Sequence, residues 1–269
     1  MRTVLILVLL AAFVAGCGDK PAQPEPGASP PVIASEETRK EKTGPFEAKT
    51  VVVSRAERFG KVNPGPLGAL TEAQSLNIFS DAFGSAEKME GIMDVDLPEY
   101  DVVFEAESGG RASYHLWLGQ REESVGMYTT TENTGQGYRL TQEATKKLRS
   151  LIYALNYSPE QAEANGDVVD VHGSLSNSVR LKQFADNVKN GVADIVHVTR
   201  YSVEGDPIFQ DVSYDGTSLR FTLDTTMDAF GSPSRAFTFC EGIAEKDGQY
   251  VLTGCDRDDI AFSVTLPGN

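Results

Sequence analysis

Residues 195–223 read IVHVTRYSVEGDPIFQDVSYDGTSLRFTL, and this stretch decides the fold. β-Branched and aromatic residues recur on alternate positions over 195–203, 208–214 and 219–223, the period of a strand with one buried face. Between the first two runs stands Glu204-Gly205-Asp206-Pro207-Ile208. Pro207 drives Asp206 toward an extended backbone, and Gly205 tolerates a backbone angle that other residues resist. The result is a tight bend. Between the second and third runs, Asp215-Gly216 marks a turn. Three strands joined by short turns can only lie antiparallel.

Working outward, the same pattern continues at 237–243, 250–254 and 260–266, with Asp247-Gly248 as a hairpin signal. Upstream, Asn177 is a cap residue for a helix whose apolar stripe is Leu181, Phe184, Ala185 and Val188. One helix and consecutive hairpins describe an antiparallel meander with a helix across one face. The polar stretch 158–165 precedes it and is read as a domain boundary. Before that, 50–54 is a short strand, and Leu76, Phe79 and Phe83 repeat at helical spacing. Tyr100, Val102, Phe104 and Ala106 alternate, as do Ala112, Tyr114, Leu116 and Leu118 after Gly109-Gly110, with a further strand at 124–130. Thr141 caps a helix with Glu143 in its first turn and the stripe Ala144, Leu148, Leu151, Ile152 and Leu155. The fold class is α+β: two small domains, 48–160 and 161–269, each a mainly antiparallel sheet with one or two helices.

The N-terminal end carries an address. Arg2 is followed by an unbroken apolar run over residues 4–15. That is too short for a membrane span of about 20 residues and has the form of a signal-sequence core. It ends in Val14-Ala15-Gly16-Cys17, small residues before a cysteine whose thiol is the lipidation point of a bacterial lipoprotein. Residues 1–16 are therefore expected to be a signal peptide. Cys17 should carry the lipid, whose several chains give stable anchoring. Residues 17–47, with Pro21, Pro24, Pro26, Pro30, Pro31 and Pro45, should form a disordered tether. The expected location is extracytoplasmic, on the cell membrane. A formal charge of −15 repels nucleic acid. Of three cysteines, Cys240 and Cys255 are left as an even pair in an oxidising compartment. They read as a disulfide, on strands flanking the Asp247-Gly248 turn; two free thiols are the alternative.

A search for chemistry returns little. His115, His172 and His197 are too scattered for a zinc site. No His-Glu-x-x-His, Gly-x-Ser-x-Gly, phosphate loop or dinucleotide fingerprint occurs. Asp256, Asp258 and Asp259 lack the glycine and glutamate of a calcium loop. The candidate binding residues are Glu204 and Asp206 at the corner, joined by Asp224 and Asp228. They would be a cation or cationic-ligand site; the plainer reading is carboxylates that cap local N–H groups. No catalytic residue and no cofactor is assigned.

The second unit resembles a family known as domain of unknown function 4362, found in lipoproteins of Gram-positive spore-formers. Residues 165–256 carry the resemblance through Asn165-Gly166-Asp167-Val168-Val169, His172-Gly173, Asn177, Phe184 and the 204–208 corner. Tyr214-Asp215-Gly216, Asp224-Thr225-Thr226, Asp228, Cys240 and 250–255 complete it. Ser202 stands where the family usually has threonine. The first unit is similar to another uncharacterised Gram-positive lipoprotein domain through Gly91-Ile92-Met93-Asp94, Pro98-Glu99-Tyr100 and 114–118. The resemblance implies a Gram-positive cell surface and leaves function open, since neither family carries an activity to transfer. The reading is a non-catalytic module binding an envelope protein or peptide. The alternatives are a metal-dependent enzyme using the Glu204/Asp206 corner, and a solute-binding lipoprotein.

Overall fold

Strand β1 (Thr50–Arg55) leads through a loop to β2 (Pro66–Leu70), α1 (Ala73–Gly84) and the short β3 (Glu87–Lys88) in the computed structural model, which describes residues 47–91 and 93–265. Strands β4 (Tyr100–Glu105), β5 (Arg111–Trp117), β6 (Met127–Thr130) and β7 (Gly137–Arg139) follow, then helices α2 (Gln142–Tyr153) and α3 (Pro159–Ala164). The chain continues as β8 (Val168–Val171), β9 (Ser174–Ser176), α4 (Ser178–Lys189), β10 (Asp194–Tyr201), β11 (Pro207–Tyr214), β12 (Leu219–Asp224) and β13 (Arg235–Cys240). It ends in β14 (Gly242–Lys246), β15 (Gln249–Thr253) and β16 (Ser263–Thr265). The signal sequence, Cys17 and nearly all of the tether lie outside the described residues.

Three sheets result. The first, in order β2-β1-β4-β5-β6-β7-β3, is antiparallel throughout. Its core face carries Val51, Val53, Val102, Phe104, Leu116 and Tyr128 against Phe79 and Phe83 of α1 and Leu148 and Ile152 of α2. The second sheet, β13-β12-β11-β10-β8-β9, contains the meander read from the sequence, and its one parallel pair is β8 with β10. The β9–α4 segment is the crossover that lets those two strands run the same way. One face of this sheet buries Val168, Val196, Val198, Val212 and Phe221 under Leu181 and Phe184 of α4, Phe262 just before β16, and Val264 of the third sheet, β14-β15-β16. The other face turns toward the first sheet, and Val169, Tyr201 and Phe209 join that sheet's buried cluster.

The architecture is α+β and mainly antiparallel, and several local expectations are corrected. Residues 158–165, expected as a polar break, form helix α3, with Ser158 accepting from the Gln161 N–H and Pro159 in the first turn, where its missing N–H costs nothing. The β8–β9 hairpin has no counterpart in the sequence reading. Asn177 does sit at the α4 cap, but in a left-handed conformation (φ 54°) and without a capping bond. Its amide donates instead to the Glu163 and Asp167 carbonyls. Thr141 caps α2 by accepting from the Ala144 N–H. Cys240 and Cys255 form a disulfide. It does not cross the 247–248 hairpin: Cys240 ends β13 and Cys255 lies beyond β15, so the bond staples the β14–β15 hairpin to the large sheet.

Candidate functional site

Asp211 lies opposite His197 in the β10–β11 register. Both side chains stand on the face turned toward the first sheet, and Arg55, the last residue of β1, reaches them from there. Its Nη1 donates to Asp211 Oδ1 at 2.6 Å and its Nη2 to Asp167 Oδ2 at 2.8 Å. Asp167 Oδ2 also accepts from the Tyr157 and Thr199 hydroxyls, at 3.0 and 2.6 Å. The Arg55 guanidinium lies over the Phe209 ring, 4.4 Å from its centroid. Arg55 and Asp167 are buried. Burial alone would weaken the guanidinium's hold on its proton, but Asp211 and Asp167 outweigh it and raise the pKa.

His197 completes the chain of charges. Its Nδ1 is 2.7 Å from Asp211 Oδ1 and its Nε2 is 3.0 Å from Glu57 Oε1. Two carboxylate acceptors require two N–H donors, so the ring is an imidazolium. Burial opposes that charge, yet Asp211 and Glu57 hold the pKa up at about 9. The Asp211 carboxyl is pushed up by burial and down, more strongly, by Arg55 and His197, to about 2. His115 makes an instructive contrast. It is fully buried, with Nδ1 2.7 Å from Asp101 Oδ1, but its Nε2 accepts from the Gly60 N–H at 2.8 Å. That lone pair fixes the proton on Nδ1. The partner of the second nitrogen decides the charge state of each ring.

Beside this network, loop residues Glu57, Arg58 and Leu97 face strands β10–β12 of the second sheet across a cleft of about 780 Å3. Its lining includes Arg58, Leu97, Arg180, His197, Arg220 and Phe239. Arg180 is held bidentately by Asp194. Arg220 projects from β12, its guanidinium 4.0 Å from the Phe237 ring centroid.

The sequence-derived candidates lie elsewhere. Glu204 is exposed at the β10–β11 corner. The corner closes on itself through Ser202 N–H to Asp206 O and Gly205 N–H to Ser202 O, with Gly205 at φ 95°. Asp206 accepts from the Ala229 N–H at 2.9 Å, which brings it to the loop carrying Asp228. Asp228 accepts from the Phe230 and Gly231 N–H groups. Asp224 accepts from the Thr226 N–H and hydroxyl and pairs with Arg235. Asp224 and Asp228 thus bind N–H groups of their own turns, whereas Asp206 binds one 23 positions along the chain. Among the described residues, no group of three or more His, Cys, Asp or Glu side chains could hold a metal ion.

Residues 165–251 match the family described as domain of unknown function (DUF4362), and residues 48–156 match the family described as YhfM protein. The two resemblances drawn from the motifs thus fall on the two sheet regions. No curated protein matches the chain significantly. Among solved structures, a thioesterase-like protein from Clostridium sporogenes ATCC 15579 aligns at 16% identity, over 40% of this chain and 94% of that one, with a TM-score of 0.32. A likeness of that degree carries no argument for fold or activity.

Proposed function

We propose that this chain, which joins the two matched families on one polypeptide, is a lipid-anchored extracytoplasmic module that binds its ligand without transforming it. The observation that carries the reading is the open cleft beside a charge network whose groups are already paired. Its volume of about 780 Å3 falls in the range of small-ligand sites. A general acid or base must be free to exchange its proton with a substrate; both nitrogens of His197 are engaged by carboxylates. The anchor is supported by Val14-Ala15-Gly16-Cys17 alone. A partner in the envelope, protein or peptide, is within reach of a tether of that length, which spans about 30 Å as a flexible coil.

Thermal melts of the mature protein against sugars, amino acids, peptides and metal ions test the reading. A cleft ligand at 100-fold its dissociation constant should add about 2.7 kcal/mol. Ser213→Trp, which fills the cleft, should abolish that gain. Equal stabilisation of the filled variant, or turnover of any panel member, would remove the proposal.

A further inference from the structure

We propose that Arg220 is the anchor for a ligand carboxylate, and that Asp96 occupies its place when the cleft is empty. This rests on the cleft reading above and names the ligand's chemistry. The Arg220 side chain is only 17% exposed. Its Nη1 meets Asp96 Oδ1 at 2.6 Å and its Nη2 meets Oδ2 at 2.7 Å, a fork-to-fork pair. Phe237 backs the guanidinium from one side, and Phe239 stands 6.0 Å away. The cation is therefore a fixed, partly buried, aromatic-backed receptor on an interior strand of the sheet. Such a fork selects planar two-oxygen acceptors.

Its present partner is of a different kind. Asp96 belongs to the 89–99 connection, which has no helix or strand among its described residues. Its side chain is 52% exposed. The backbone there is pinned by the Trp117 indole N–H on the Asp96 carbonyl, so the carboxylate can turn outward without moving the loop, giving up its Arg220 pair and the Leu97 N–H that Oδ1 accepts at 2.8 Å. The exchange of one carboxylate for another keeps the same fork-to-fork bonds, so it costs little even though the pair itself is well formed. The neighbouring cations differ. Arg180 is held by Asp194 of β10 and His197 by Asp211 of β11, both on the sheet itself. Leu97, Ile195 and Phe239 line the space next to Arg220, so the carboxylate should come attached to an apolar or aromatic group. In a chain of formal charge −15, this partly buried cation is a point to which an anion can commit.

Calorimetric titration of the mature full chain with N-acetyl-phenylalanine, and with its amide, tests the proposal. The acid should bind and the amide should not. Asp96→Ala should tighten the acid about tenfold, the gain expected if Asp96 covers Arg220 nine-tenths of the time. Arg220→Gln should lose binding, and Arg220→Lys, which keeps the charge but not the fork, should lose most of it. A peptide ending in free phenylalanine that binds more tightly than the acid would identify a peptide C-terminus as the source; equal affinity would identify a free carboxylic acid. Equal binding of acid and amide, or no tightening in Asp96→Ala, overturns the Arg220 assignment while leaving the cleft as a binding site. No binding of any probe to parent or Asp96→Ala also overturns it, and the melts of the filled Ser213→Trp variant then judge the cleft by themselves.

Discussion

At the scale of single residues, His115 and His197 start from the same pairing with an aspartate and end in different charge states. The consequence is a pH dependence with a definite sign. The His197 pKa rises from an ordinary 6.5 to about 9 on folding. Its contribution is therefore complete below pH 6.5 and is lost as pH climbs through 9. The shift corresponds to about 3 kcal/mol. Asp211, held at about 2, acts in the opposite direction: its contribution is complete above its ordinary value of 3.8 and disappears as pH falls toward 2. Urea midpoints measured from pH 5 to 10 should fall between 6.5 and 9 in the parent. His197→Gln should flatten that slope; a slope unchanged in the variant would disprove the assignment.

Part of this pair was legible. The Pro207 corner fixes where β11 begins, and counting back across it from Tyr201 and Pro207 sets His197 opposite Asp211. What no count along the sequence could supply is Arg55, 156 positions from Asp211, or Glu57, 140 from His197. Their side chains meet only because two sheets pack. Of the carboxylates that local reasoning favoured, Asp224 and Asp228 are conspicuous for a local reason, since they cap their own turns, while Asp206 reaches the Ala229 N–H in a distant loop.

At the scale of elements, periodicity served where a stripe had to be buried and failed where the element was short. The stripes of α1, α2 and α4 point inward as read, with Phe79, Leu148 and Phe184 fully buried. Helix α3 escaped because its sequence, Pro-Glu-Gln-Ala-Glu-Ala, buries a single residue, Ala162. Its position is secured by contacts rather than pattern: Gln161 and Asn165 donate to the Pro66 carbonyl. Asn177 then clamps the end of this segment to the start of α4 through two carbonyls. Asn177→Ala should cost about 1–2 kcal/mol, from lost hydrogen bonds and a left-handed backbone that alanine resists. Asn177→Gly, free of the backbone penalty, should cost less. Denaturation midpoints of the two variants measure the difference, and equal losses would mean that the clamp bonds alone matter.

At the scale of the whole molecule, the described residues from 47 to 265 fall in one compact unit, although it spans the matches to two family models. Phe209 and Tyr201 of the second sheet enter the cluster built mainly from the first, and the Tyr201 hydroxyl donates to the Tyr157 carbonyl. Phe209→Ala, which also removes the ring under Arg55, should cost about 3–5 kcal/mol and lower one shared transition. Calorimetry decides: two separate transitions, only one of them shifted, would show that the sheets unfold independently.

The place of β1 in its sheet has a mechanical consequence. The strand enters from the N-terminal side, where a tether would pull, and it is an interior strand bonded to β2 on one edge and β4 on the other. Hydrogen bonds in antiparallel pairs run perpendicular to the strands. Tension along β1 therefore loads both ladders in shear, all rungs together, instead of peeling them one at a time. At the far end of the same strand, Arg55 is bolted to Asp211 of the second sheet and to Asp167, the residue just before β8. A chain hauled by its leash would pass the load across its full width before any rung gave way.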